Sequence, residues 1–218
     1  MTGPRKTAKR RISADESTAR ERIMKAAREV FALHSYKAAS TRMVAKQAGV
    51  EHPLIHYYFG SKEKLFQAMV EDIYSEFSLV QVTWLDGIER VPPAKGLPVF
   101  IDRMLDYTLA HPDALQIIAL NMVQIGRIDD IPGYRYITLH MARMRRMLEE
   151  RLVMRGTNRD IEMFIYCFYS LMINLIGARS CQAQILNMDP LGEEYRVWIK
   201  DACLTLFLPW LERLLSRY

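Results

Sequence analysis

Cysteine is scarce: Cys167, Cys181 and Cys203 are the only three in 218 residues. They are too widely spaced for a disulfide framework or a paired zinc pattern, so a reducing compartment is expected. Glycine and proline are also few, 10 and 9, which excludes collagen-like and low-complexity chains. No run of about 18 apolar residues is free of charge, and the opening MTGPRKTAKRR leads into polar sequence rather than an apolar signal core. The expectation is a soluble, cytoplasmic protein with no membrane partner. Strand-like alternation and internal repeats are missing, as are a glycine-rich phosphate loop, a G-x-S-x-G elbow and a cysteine in a known signature with histidine. No enzymatic activity and no cofactor are expected.

What is present is a core and an uneven charge. Half the residues are hydrophobic and a quarter charged, the composition of a globular chain. Residues 1–64 hold 14 Lys and Arg against 6 Asp and Glu, a net +8, while the whole chain carries only +5. A basic module on a slightly acidic body points to a polyanion, most simply nucleic acid, as partner of the N-terminal third. Residues 1–17 read as a basic disordered arm.

Ile23, Ala27, Val30 and Phe31 recur at spacings of three and four, which predicts a first helix over about 18–34. A second helix follows Ser40 and stops before Gly49; a third carries Pro53 in its first turn and ends near Phe59; a fourth restarts after Gly60 and Ser61. Gly87, Pro92, Pro93, Gly96 and Pro98 mark residues 86–98 as a linker that no helix should cross. Further helices are expected at about 99–110, 113–126, 133–155, 159–186 and 191–217, with a bend at Pro209. The fold class is all-α.

Residues 41–59, TRMVAKQAGVEHPLIHYYF, have the layout of a helix-turn-helix. Ala45 and Ala48 allow close helix approach, Gly49 suits the turn, and Val50 and Ile55 fill the angle between the helices. His52, His56 and Tyr57 remain on the far side. A helix presented this way fits the roughly 12 Å wide major groove. His52 and His56, one turn apart, also have the geometry of a metal pair, but Pro53 stands where a metalloprotease needs its glutamate, and no metal is expected. Arg143, Arg145 and Arg146 precede Glu149 and Glu150 at helical spacing and read as a salt-bridged face.

Over residues 20–66 the chain resembles the tetracycline-repressor (TetR) family of bacterial transcription regulators. Phe31, Ser40-Thr41, Ala45, Ala48-Gly49-Val50, Tyr58-Phe59 and Ser61-Lys62-Glu63-Lys64-Leu65 stand in the family's order and spacing. Beyond Phe77 only the run of helices is similar. The resemblance implies a helix-turn-helix DNA-binding domain over 18–64 and a helical effector-binding and dimerisation domain over 65–218. It implies phosphate contacts from Thr41, Tyr58 and Lys62, a base contact from Arg42, and readout by His52, Pro53 and Leu54. Tyr57 resembles the aromatic that touches backbone and base. Glu51 and His56 depart from the family's usual Ser or Thr and Tyr; His56 is carried as a phosphate contact.

It further implies a homodimer paired through the last two long helices, a roughly palindromic double-stranded operator, and a small-molecule effector held among the helices of 99–180. Met104, Tyr107, Ile118, Met122, Phe164, Phe168, Tyr169 and Met172 are candidate lining, since methionine and aromatic side chains suit adaptable apolar cavities. Asn121, Gln124, Asn174 and Arg179 are polar within apolar helices and need partners that a ligand could supply; Asn121 and Asn174 join the candidate set. The leading expectation is a repressor released by its effector. The alternatives are an effector-independent helical DNA-binding architectural or adaptor protein, and a helical enzyme with a basic arm.

Overall fold

A computed structural model describes residues 14–122, 126–127 and 130–215, the first five as backbone only. The arm expected over 1–17 lies outside them as far as residue 13, and residues 14–17 form the start of the first helix. Among the described residues there are helices and turns and no strand. The helices are α1 (Ala14–Leu33), α2 (Thr41–Ala48), α3 (His52–Phe59), α4 (Lys62–Gln81) and α5 (Pro93–Ala110). They continue as α6 (Asp113–Met122), α7 (Arg135–Arg151), α8 (Asn158–Met172), α9 (Arg179–Ile185) and α10 (Glu193–Leu215).

Two cores organise them. In the first, Ile23, Val30 and Phe31 of α1 meet Val44, Ala45, Ile55 and Phe59, closed by Leu65, Phe66 and Met69 from α4. Ile117, Ile131 and Tyr134, all from beyond residue 64, complete this core, so the boundary expected at 64/65 cuts through packed side chains. The second core joins α5, α8 and α10 through Ile101, Leu105, Phe164, Ile165, Ile199 and Phe207, and Phe77 and Val80 at the far end of α4 pack against it. Helix α4 therefore belongs to both.

The helices depart from expectation at three places. Helix α5 starts at Pro93 inside the expected linker and runs through Pro98. A proline in the first turn forfeits nothing, because its N–H would have no partner there, and Lys95 and Gly96 N–H groups close the turn on the Pro92 carbonyl. The single long helix expected over 159–186 is divided by a π turn, Ile173–Gly177. A Cβ on Gly177 would lie 2.4 Å from the Leu115 carbonyl oxygen and 2.9 Å from the Ala119 Cβ. Glycine is what lets this turn press onto α6. Pro209 lies inside α10, which runs as one helix from Glu193 to Leu215.

Asn158–Gly177 is 20 residues long with mean hydropathy 1.3, long and apolar enough by length and composition to cross a membrane, though Arg159, Asp160 and Glu162 keep it from being a charge-free run. Its Phe164, Ile165 and Met172 face the second core, which is the behaviour of a core helix.

Candidate nucleic-acid interface

The helix-turn-helix is fixed by its caps. Ser40, extended at φ −133°, accepts a hydrogen bond from the Met43 N–H at 3.3 Å and starts α2. Gly49 ends it at φ 63°, a left-handed conformation that side chains disfavour, with its N–H returned to the Ala45 and Lys46 carbonyls. Helix α3 begins at Glu51 without a side-chain cap and with Pro53 in its first turn. Ser61 caps α4 by accepting from the Lys64 N–H at 3.1 Å.

Burial of Ile55 and Phe59 sets the rotation of α3. Pro53, His56 and Tyr57 consequently face outward, Tyr57 at 62% exposure, with Leu54 and Tyr58 half-buried beside them. Arg42 is exposed on α2. Thr41 and His52, expected to act separately, form one unit: Thr41 Oγ1 lies 2.9 Å from His52 Nε2, joining the starts of the two helices. His56 donates from Nδ1 to the Gly60 carbonyl at 2.9 Å, and the two imidazoles meet edge to face at 5.0 Å. Each histidine thus has a ring nitrogen engaged within the fold.

The Lys62 ammonium lies 4.6 Å from the centre of the Tyr36 ring, and partial burial holds its pKa below the ordinary lysine value. An ammonium with an aromatic floor and no carboxylate among its described ion pairs has donors to offer a phosphate. Arg22 of α1 shares a groove with Gly49, Glu51, Pro53, Leu54 and Tyr57. Sequence reasoning did not single it out; its position on the polar side of the α1 stripe, next to buried Ile23, was the available signal.

The body encloses a cavity of about 110 Å³, and Met104, Phe164, Phe168, Tyr169 and Met172 of the expected set line it. Ile118 lines a smaller chamber of about 60 Å³, with Tyr169 again in the wall. Tyr107 packs its ring on Phe77 and Trp84 at 5.8 and 6.2 Å, outside the lining. Three expected residues are elsewhere. Asn121 is fully buried at the seam between the two cores, where its Oδ1 accepts from the Tyr36 N–H and its Nδ2 donates to the Ile117 carbonyl, both at 2.8 Å. Met122 is 48% exposed at the end of α6. Asn174 lies in the π turn and is exposed, so it needs no partner from within the fold. Arg179 donates to the Leu109 carbonyl instead of entering the cavity, and Gln124 is outside the described residues. Arg145 pairs with Glu149 and Glu162 at 2.8 and 2.5 Å, as expected of a salt-bridged face.

The arrangement is a capped helix-turn-helix with an outward α3, set on a hollow helical body. Residues 23–69 match the family described as bacterial regulatory proteins, tetR family. The matched stretch comprises most of α1, the helix-turn-helix and the start of α4. It is 31% identical over 122 residues to the HTH-type transcriptional repressor NicS of Pseudomonas putida, covering 56% of each chain. It is 30% identical over 112 residues to the repressor SCO4008 of Streptomyces coelicolor, covering 51% of this chain and 54% of that one. The match thus spans about half the length of these curated relatives. Among solved structures, the regulator FadR of Bacillus subtilis in complex with stearoyl-CoA aligns with a TM-score of 0.62 at 15% identity, over 84% of this chain and 96% of that one. A TetR-like regulator from Rhodococcus aligns at 0.59 and 14%, over 91% and 97%. These two likenesses establish the fold of the body.

Proposed function

We propose that this chain is a cytoplasmic, homodimeric repressor of transcription that leaves a near-palindromic operator when a small molecule fills the body cavity. The observation that carries the reading is the outward face of α3, held by buried Ile55 and Phe59 and flanked by Arg42 and Lys62. Arg42 suits guanine, whose O6 and N7 accept its two parallel donors, while Pro53 and Leu54 offer apolar contact such as a thymine methyl would take. Thr41, His56, Tyr58 and Lys62 hold phosphates in this reading, and Tyr57 touches backbone and base.

Dimerisation is supported by apolar side chains left on the two long helices: Met163 and Tyr166 on α8, Val197 and Leu206 on α10, each 46–61% exposed. The stearoyl-CoA held by the Bacillus subtilis protein supports a body of this fold that takes ligands. The effector must prefer the arrangement that cannot bind DNA, and a coupling of about 1–3 kcal/mol gives roughly 5- to 150-fold in affinity.

Selection of duplexes from a random library by the purified protein, followed by titrations at two salt concentrations, tests the reading. The expected result is an enriched palindrome with half-sites about one helical turn apart, bound far more tightly than scrambled DNA. Purely salt-driven binding with no sequence preference would favour an architectural role instead. Analytical ultracentrifugation is expected to give twice the 25.4 kDa chain mass at micromolar concentration.

A further inference from the structure

His140 is buried at 5% exposure, yet no side chain or backbone group among the described residues hydrogen-bonds its ring. Its neighbours are rings: Phe77 at 5.2 Å and 67°, Tyr169 at 5.2 Å and 41°. The Tyr169 hydroxyl likewise has no hydrogen-bond partner among the described residues. Both side chains line both chambers of the body. Among the described residues the polar side-chain atoms sealed off without a partner belong to Arg28, Ser78 and Gln81. The His140 ring and the half-buried Tyr169 hydroxyl are therefore not sealed in the packing but turn their polar atoms to the hollow they line. Two such groups on one hollow mark the place where a ligand supplies the missing partners.

The rest of the wall restricts what that ligand is. Phe77 meets Trp84 at 5.4 Å and 89°, and Trp84 meets Phe100 at 5.9 Å and 85°, so a further ring entering the cavity continues an edge-to-face series. Neither lining contains Lys or Arg, and the one ionised side chain, Glu89, is already paired with Arg151. A carboxylate or ammonium would lose its hydration there without a counter-charge. Burial pushes the His140 pKa down to about 4, with the Arg143 charge adding to it, so the ring is neutral at pH 7 and offers one donor and one acceptor. Chambers of about 110 and 60 Å³ compare with the roughly 150 Å³ hollow that holds benzene. One ring fits this volume.

We infer that His140 and Tyr169 are the polar anchors of the body cavity, and that its ligand is a compact, uncharged aromatic molecule with one hydrogen-bonding substituent, of the phenol kind. This rests on the effector reading above and gives it a chemistry. The anchors also wall the smaller chamber, whose other side is formed by Val70, Ile117 and Tyr134 at the first core. A ligand bonded to them sits where the body meets the DNA-binding head.

The test is calorimetric titration of the full chain with 4-methylphenol, toluene and benzoate. The expected order is 4-methylphenol about fivefold or more tighter than toluene, the usual net contribution of one hydrogen bond, with benzoate weakest. In His140→Leu the preference for 4-methylphenol over toluene is expected to vanish while toluene still binds, and Tyr169→Phe is expected to reduce it. Equal binding of 4-methylphenol and toluene by the wild type, a preference for benzoate, or no binding of any probe would overturn the inference without reliance on a variant. Operator release is measured separately. If 4-methylphenol binds with the expected preference but the operator complex persists, the ligand class stands and the effector role falls.

Discussion

The head and the body of this protein are both built from helices, but they use sequence differently. In the head, α2 and α4 are bounded by residues suited to the backbone there: Ser40 and Ser61 accept N–H groups, and Gly49 turns left-handed. In the body, α8 also starts on a local cap, the Thr157–Asp160 capping box, but it is ended by a π turn whose Gly177 presses on the Leu115 carbonyl, a contact made far along the chain. In the proposed reading α3 has to be presented to DNA in one orientation, which a frame of local caps provides. A cavity needs only a wall of suitable volume, which many side chains can form.

The largest expected effect tests whether the head is a separate unit. Ile55→Ala removes a fully buried side chain from the first core and is expected to cost about 2–5 kcal/mol, read from urea denaturation. Trp84, Trp198 and Trp210 all lie in the body, so tryptophan fluorescence follows that region while circular dichroism follows both. Because Ile117, Ile131 and Tyr134 finish the head's core, the two signals are expected to move together. Loss of dichroism well before loss of fluorescence would show the head unfolding alone.

Next in size is a pH effect confined to the body. The His140 pKa is about 4 when folded and about 6.5 when unfolded, so above pH 6.5 the ring is neutral in both states and costs nothing. Below 6.5 the unfolded chain takes up a proton that the folded one refuses. Stability falls with a slope that approaches about 1.4 kcal/mol per pH unit and levels off near pH 4, about 1.6 kcal/mol being lost between 6.5 and 5. Urea midpoints across that interval should decline in the wild type and be flatter in His140→Leu. An identical decline in both would remove His140 as the cause.

How far the sequence could be read follows the same division. The starts of α2, α3 and α4, the inward Ile55 and Phe59 and the outward Tyr57 were legible, because caps and helical period act within a few residues. Five of the cavity-lining side chains were found by type alone. Asn121 and Asn174 were misplaced for reasons that no local pattern carries: one is claimed by the Tyr36 backbone 85 positions away, the other lies exposed in a π turn. His140 went unremarked because a histidine among arginines, in RYITLHMARMRR, has the look of a polar face. Its burial exists only once α4 and α8 close over it.

Asn121→Leu probes the seam itself. The substitution keeps the volume and leaves the buried Tyr36 N–H without its acceptor, at an expected cost of about 1–3 kcal/mol. Arg28 would still bridge Glu76 and Asp113 across the same seam, so the protein should remain folded. If the seam couples the two regions, fluorescence and dichroism midpoints are expected to separate in this variant and coincide in the wild type. Coincident midpoints in both would mean that α4 alone holds the regions together.

The smallest effect on stability should be the most specific one on DNA. Lys62→Ala removes an ammonium from the Tyr36 ring, an exposed cation–π contact of about 0.5–1 kcal/mol, and takes nothing from either core. Stability is therefore expected to change little. Binding should weaken by a similar factor on the selected palindrome and on scrambled duplex, and the slope of log affinity against log salt should fall by about 1, as for one lost phosphate contact. Arg42→Ala, by contrast, is expected to weaken the palindrome far more than the scrambled duplex, since a base contact adds discrimination that a phosphate contact does not. An unchanged salt slope in Lys62→Ala would place its ammonium away from the DNA and leave it a purely internal role against Tyr36.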